Sequence, residues 1–312
     1  MIMQTFQEIF PEQQNTAAAL GFFDGLHRGH RRVLSLAVKQ EQCGLIPLCL
    51  TFTESPKAVT SGKSFSYLMT VEDKLRALEE LGIRHTVTAD FRSLMYLSAE
   101  QFFFDILLAR LRVRELFCGF NYRFGRNAEG DIVLLQRLCD QNGVGITVVP
   151  PETLRGEMIS STVIKRLIVE GDIKTANEML GERFGVSAEI VHGKQLGRKM
   201  GAPTLNQRMN PQLVTPRFGV YASLVTLANG ERYCGVTNIG VKPTVGGDKP
   251  LWETWMPDYC GGDLYGQQAD VRLLLFIRPE IKFKSIDDLR DEILRNEKQA
   301  REAYEILVVR QS

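Results

Sequence analysis

Between residues 16 and 150 the chain alternates short apolar runs with stretches of helical periodicity, and this alternation restricts the possible folds more than any other feature. The apolar runs fall at 16–20, 45–52, 85–89, 115–118 and 145–149, and the helical patterns at 71–81, 99–111 and 131–141. Apolar strands separated by helices of roughly 10 to 15 residues predict a parallel sheet with helices on both faces, an α/β unit of the Rossmann-like kind. Ligands of such sheets bind beyond the carboxyl ends of the strands, where the turn at 21–30 and the loop at 119–125 both fall.

Past residue 183 the period changes to two. Alternating segments lie at 188–192, 220–227, 231–238 and 270–277, and Asn229-Gly230 between two of them is a strong hairpin signal. An antiparallel β-barrel is expected. Residues 162–181 carry Ile164, Leu167 and Ile168, then Ala176, Met179 and Leu180, interrupted at Gly171-Asp172, which predicts two short connector helices. A helix at 287–308, capped by Ser285 and carrying Leu289, Ile293, Ala300 and Tyr304 along one side, closes the chain. The expected domains are 1–182, with the connector helices, and 183–312.

A length of 312 residues suffices for two domains with ample cores. The net charge of +1 leaves no basic footprint for nucleic acid, and small molecules are the expected partners. The six cysteines form no Cys-x-x-Cys, so neither a zinc knuckle nor a disulfide scaffold organises the fold. No apolar run approaches the roughly 18 residues of a membrane span, and no leader pattern opens the chain. A cytoplasmic setting without membrane contact is expected.

Two of only four histidines, His27 and His30, sit in the glycine-rich turn Gly21-Phe22-Phe23-Asp24-Gly25-Leu26-His27-Arg28-Gly29-His30. Gly25 and Gly29 let backbone approach a ligand, the helix that follows offers free N–H groups to an anion, and the imidazoles add donors for phosphate oxygens. A metal held by Asp24, His27 and His30 is the competing reading of the same pattern. Ser160, Ser161 and Thr162, with Lys165 one turn on, group hydroxyls and a cation at a helix start, which suits phosphates or a plain N-cap. In the second half, Gly197, Arg198, Gly201 and Pro203 belong to a glycine-rich cationic segment leading to Thr204 and Asn206, two oxygen ligands for a phosphate-bound magnesium ion. Glu253, on the apolar segment 251–255, is a candidate general base or a solvated strand residue.

Seven motifs in order make the chain resemble the bacterial bifunctional riboflavin kinase/FMN adenylyltransferase (FAD synthetase) family. They are the turn at 21–30, Asn-Tyr-Arg-Phe-Gly at 121–125, Ile-Ser-Ser-Thr at 159–162, Gly-Arg-x-x-Gly-x-Pro-Thr-x-Asn at 197–206, Gly-Val-Tyr-Ala at 219–222, Asn-Ile-Gly-x-Lys-Pro-Thr at 238–244 and Gly-Asp-Leu-Tyr-Gly at 262–266. The resemblance implies ATP-dependent phosphorylation of riboflavin to FMN in the barrel and adenylylation of FMN by a second ATP in the N-terminal domain, both with Mg2+. It implies Glu253 as the base for the ribityl hydroxyl and Thr204 with Asn206 as magnesium ligands, with Gly197, Arg198, Gly201 and Pro203 binding the nucleotide. For the second reaction it implies His27 and His30 at the reacting phosphates. Gly21, Phe23, Asp24, Gly25, Gly29, Asn121, Ser160, Ser161, Thr162 and Lys165 would bind nucleotide or phosphate there.

The chain departs from the family pattern in three places. Glu54-Ser55-Pro56 stands where Pro-His-Pro is usual, Lys165 replaces an arginine and loses its bidentate fork, and Trp255 replaces a histidine two residues after the catalytic glutamate. The first of these favours a riboflavin kinase with an inactive N-terminal module. A flavin-sensing protein without turnover is the alternative from another class, against which Glu253 speaks.

Overall fold

The computed structural model describes residues 2–4, 14–62, 64–192, 204–241 and 250–310. The chain divides into two compact units, 1–161 and 162–312.

In the first unit six strands, β1 Ile2–Gln4, β2 Thr16–Leu20, β3 Ile46–Phe52, β4 His85–Ala89, β5 Val113–Gly119 and β6 Gly145–Val149, form a sheet in the order β1-β4-β3-β2-β5-β6. All neighbours are parallel. β2 is central and buried throughout. Ala18 and Leu20 enter one core with Leu48, Leu50 and Leu116, and Ala17 and Ala19 enter the other with Val33, Leu34 and Ala37 of the helix Arg28–Lys39. Both faces of β2 are filled, which explains why its sequence shows no polar alternation. β1 was not anticipated, since three residues are too few to display a period.

The helical pattern at 99–111 begins as a capped α-turn, Ala99–Gln101, and widens into a π-helix over Phe102–Arg110. Ala99 packs against Gly125, whose φ of +74° already disfavours a side chain, and a Cβ there would lie 2.7 Å from the Ala99 nitrogen. Gly125→Ala is therefore expected to destabilise this unit by about 2–4 kcal/mol, read as a lower melting temperature for the transition that also abolishes the activity of this unit. A short antiparallel ladder, β7 Thr153–Leu154 with β8 Glu157–Met158, precedes Ser160.

In the second unit β9 Gly185–Val191, β10 Thr204–Arg208, β11 Gly219–Leu227, β12 Arg232–Val241, β13 Pro250–Trp255 and β14 Gln268–Arg278 close into a barrel in the order β10-β13-β12-β11-β14-β9. Pairing of β10 with β9 completes the closure. The interior includes polar groups that satisfy one another. Ser223 Oγ, Thr237 Oγ1 and Thr254 Oγ1 form a hydroxyl ladder at 2.7 and 2.8 Å, and Gln207 Nε2 donates to the Ala188 and Ala269 carbonyls, each at 2.7 Å. Asn229-Gly230 makes the expected turn, with Gly230 at φ +86°.

The terminal helix Ile286–Tyr304, capped by Ser285, covers Ala222, Leu224, Cys234 and Leu274 on the barrel wall with Ala300 and Ala303. The connector helices are Ser161–Glu170 and Ile173–Leu180. Asn177 Nδ2 donates to the Leu273 carbonyl at 2.8 Å, the Arg217 nitrogen donates to the Ile168 carbonyl at 3.2 Å, and residues from Thr162 onward fall in the second compact unit.

Candidate active sites

The strand order of the first sheet reverses at β2, with β3 and β4 on one side and β5 and β6 on the other. The loops leaving the carboxyl ends of β2 and β5 follow that reversal, which is where open α/β sheets bind their ligands. The first loop is the histidine turn and the second carries Asn121, which is exposed at its start.

The turn is built from unusual backbone. Phe23, Gly25 and Leu26 have φ of +57°, +79° and +40°, two of them at residues with side chains. A Cβ at Gly21 would come within 2.9 Å of the Phe23 ring, so Phe23 fills the space that Gly21 leaves. Asp24 is buried, and its Oδ1 accepts from the Leu68 nitrogen at 2.8 Å while its carbonyl accepts from Ser161 Oγ at 2.9 Å. Asp24 thus anchors the turn to two other segments. Among the described residues, no group of three or more His, Cys, Asp and Glu side chains could hold a metal ion, so the metal reading of Asp24, His27 and His30 lacks a donor set.

His27 is the N-cap of the helix Arg28–Lys39, its Nδ1 accepting from the His30 nitrogen at 3.3 Å. With Nδ1 acting as acceptor, the neutral ring carries its proton on Nε2, which leaves an N–H donor. The His27 and His30 rings stack at 3.6 Å and 18°, and Phe23 meets His30 edge-on at 5.3 Å. Burial pushes the His27 pKa down to about 4, and burial, with His27 and Lys74 adding charge repulsion, holds His30 well below the usual histidine range. Both imidazoles are neutral at pH 7.

Ser160 follows the β7–β8 ladder and Ser161 opens the next helix, so this stretch meets the turn through the Ser161–Asp24 bond. Thr162 and Lys165 lie on that helix, within the second unit. Where the family's histidine is replaced, Ser55 stands at the N-cap position of the helix Pro56–Ser61, and Glu54 pairs with Arg92 at 2.9 Å on the surface. Lys74 was missed by sequence reasoning, because a lysine in an amphipathic helix reads as solvated. It is 3 % exposed, and its Nζ donates to the Phe22 and Phe52 carbonyls beside the turn.

The second site lies on the barrel. Thr204 and Asn206 alternate with inward Leu205 and so share one face of β10, and Asn206 stands directly opposite Glu253 of β13. Glu253 in turn stands opposite Asn238 of β12, which places Asn206, Glu253 and Asn238 in a row across three strands. The inward Trp252 and Thr254 on either side of Glu253 are fully buried. Asn206 is itself buried, and its Oδ1 has no hydrogen-bond partner among the described residues. Thr204 and Asn206 line a cleft of about 430 Å³ with Ile190, Met256, Tyr259 and the segment 261–265. An unsatisfied, buried amide oxygen beside a hydroxyl suits a hard cation that keeps most of its water. Arg301 of the terminal helix grips Asp258 through two bonds of 2.7 and 2.8 Å, which holds the loop forming the far wall of the cleft. Gly197, Arg198, Gly201 and Pro203 lie outside the described residues.

Residues 9–163 match the family model for FAD synthetase and residues 180–304 that for riboflavin kinase. A bifunctional riboflavin kinase/FMN adenylyltransferase of Listeria monocytogenes is 34 % identical over 92 % of both chains, and one of Escherichia coli is 36 % identical over 94 % of both. A crystal structure of a macrolide-efflux protein from Streptococcus pneumoniae superposes with a TM-score of 0.87 at 27 % identity, covering 96 % of this chain and 99 % of that one. No helix among the described residues is long and apolar enough to cross a membrane. With both family models in sequence and relatives of this identity along nearly the whole length, the chain belongs to the bifunctional riboflavin kinase/FMN adenylyltransferase family.

Proposed function

We propose that the chain makes FAD in two steps at two separate centres, FMN forming at the barrel cleft and FAD at the histidine turn. The observation that carries this reading is the register setting Asn206, which lines the cleft with its unsatisfied Oδ1, directly opposite Glu253 on the neighbouring strand. In the first step Glu253 takes the proton of the ribityl hydroxyl as that oxygen forms its bond to the γ-phosphorus of ATP and the bond to the β-phosphate oxygen breaks, releasing ADP. Thr204 and Asn206 would hold Mg2+, which supplies positive charge to the phosphate oxygens. In the second step a phosphate oxygen of FMN attacks the α-phosphorus of another ATP and pyrophosphate leaves. His27 and His30, neutral and donating, stabilise the charge that builds on the α-phosphate and the leaving group. Asn121 positions the flavin phosphate or the nucleotide, Ser160 and Ser161 bind phosphate, and no covalent intermediate is needed.

The test is a chromatographic time course with ATP and Mg2+, started from riboflavin in one tube and from FMN in another. FMN followed by FAD is expected in the first and FAD in the second. Chelation with EDTA should stop both reactions, and added Mg2+ should restore them. FMN accumulating without FAD in either tube would leave a riboflavin kinase with a silent N-terminal unit. No product in either would shift the reading to a flavin-binding protein.

A further inference from the structure

Lys74, on the helix Val71–Glu80, is among the most deeply buried charged residues of the first unit; the charge of the buried Asp24 acts on it, but among the described residues its hydrogen bonds go to no acidic side chain. Its Nζ donates instead to three neutral oxygens: the Phe52 carbonyl at 2.9 Å, the Phe22 carbonyl at 3.2 Å and Thr51 Oγ1 at 3.3 Å. The ammonium also lies 4.6 Å from the centre of the Phe22 ring. All three of its protons are used. Thr51 Oγ1 donates in turn to the same Phe22 carbonyl at 2.9 Å, so this one oxygen is held from outside the turn by two donors.

The Phe22 carbonyl directly precedes Phe23, the first residue of the left-handed backbone that presents His27 and His30. Backbone of that kind persists only where its surroundings over-determine it. For the core alone a buried lysine is a costly choice: Asp24 offsets only part of the desolvation of its charge, which still holds its pKa below the usual lysine value, and an apolar side chain of equal length would pack there without that cost. We infer that Lys74 is a positioning residue for adenylyl transfer: it pins the Phe22 carbonyl, and with it the strained histidine turn, to the carboxyl end of β3. Burial lowers the Lys74 pKa to about 8, which still leaves the three donors in place at neutral pH.

This inference rests on the histidine turn being the site of FAD formation, and the two can fail separately. Lys74→Met keeps the length and apolar stem and removes the donors. Its kcat for FAD formation from FMN is expected to fall at least about tenfold with KM for ATP and FMN little changed, because orientation rather than binding is lost. FMN formation from riboflavin should be unchanged and serves as the control for an intact chain. Thr51→Val should lower kcat less, and the double variant should lose less than the product of the two effects, since both act through one carbonyl. An unaltered kcat in Lys74→Met, or fully multiplicative effects, overturns the inference. If Lys74→Met does not fold, Thr51→Val decides alone: a lowered kcat with KM retained supports the clamp, and an unaltered kcat overturns it. Retention of FAD formation by His30→Ala would instead remove the site reading beneath it.

Discussion

Glu253→Gln is expected to lower FMN formation by about 10²- to 10⁴-fold, the usual contribution of a positioned general base, while FAD formation from supplied FMN stays at the parental rate. The amide matches the carboxylate in shape and keeps its place in the row between Asn206 and Asn238, so the ladder of β10, β13 and β12 has no reason to shift. What the substitution removes is the capacity to accept a proton from the ribityl hydroxyl. The measurement is the pair of initial rates, riboflavin to FMN and FMN to FAD, on the same preparation. Loss of both rates in a folded variant would mean that the two reactions share one centre, and FMN formation within about tenfold of the parent would leave Glu253 without the role of base.

Much of this arrangement was legible in the sequence because local chemistry and global fold agree. The small apolar run of β2, the hairpin at Asn229-Gly230 and the break between the connector helices at Gly171-Asp172 each name their own structure. The histidine turn was legible too, since a glycine-rich strand-to-helix junction with two imidazoles has few uses. What stayed hidden depends on partners far along the chain. Lys74 has the spacing of a solvated helix residue, and only the approach of β2 and β3 makes it a buried strut. β10 is concealed because its residues read as a ligand motif, although Leu205, Asn206 and Gln207 are all buried. Ser223, Thr237 and Thr254 look like the outward half of a polar alternation, and closure of the barrel turns them inward to bond with one another.

The two tasks of His27 can be separated by choosing what replaces it. His27→Ala removes both the acceptor that caps the helix Arg28–Lys39 and the Nε2 donor, and should cost about 1 kcal/mol of stability along with the activity. His27→Asn supplies a side-chain oxygen to the same cap, and asparagine is among the favoured residues there, so stability at pH 7 should stay near the parental value. Its amide is too short to take the place of the imidazole Nε2, so FAD formation should fall by about 10²- to 10³-fold, as for loss of one preorganised donor, with FMN formation unaffected. Acid stability gives an independent check. The pKa of His27 is about 4 in the folded chain against 6.5 when exposed, so the unfolded chain binds the extra proton first as pH falls. Above pH 6.5 the ring is neutral in both states and imposes no penalty on folding. As pH falls from 6.5 to 4 the parental chain loses stability on the order of 3 kcal/mol, because the folded state must then bury the charged ring, and about 2 kcal/mol of that loss has occurred by pH 5. The asparagine variant has no such group at this position, so its melting temperature should drop less than the parental one between pH 7 and pH 5. Equal drops would mean that the His27 ring is not desolvated as the structure places it, and the case for a neutral donor at the reacting phosphates would fall with it.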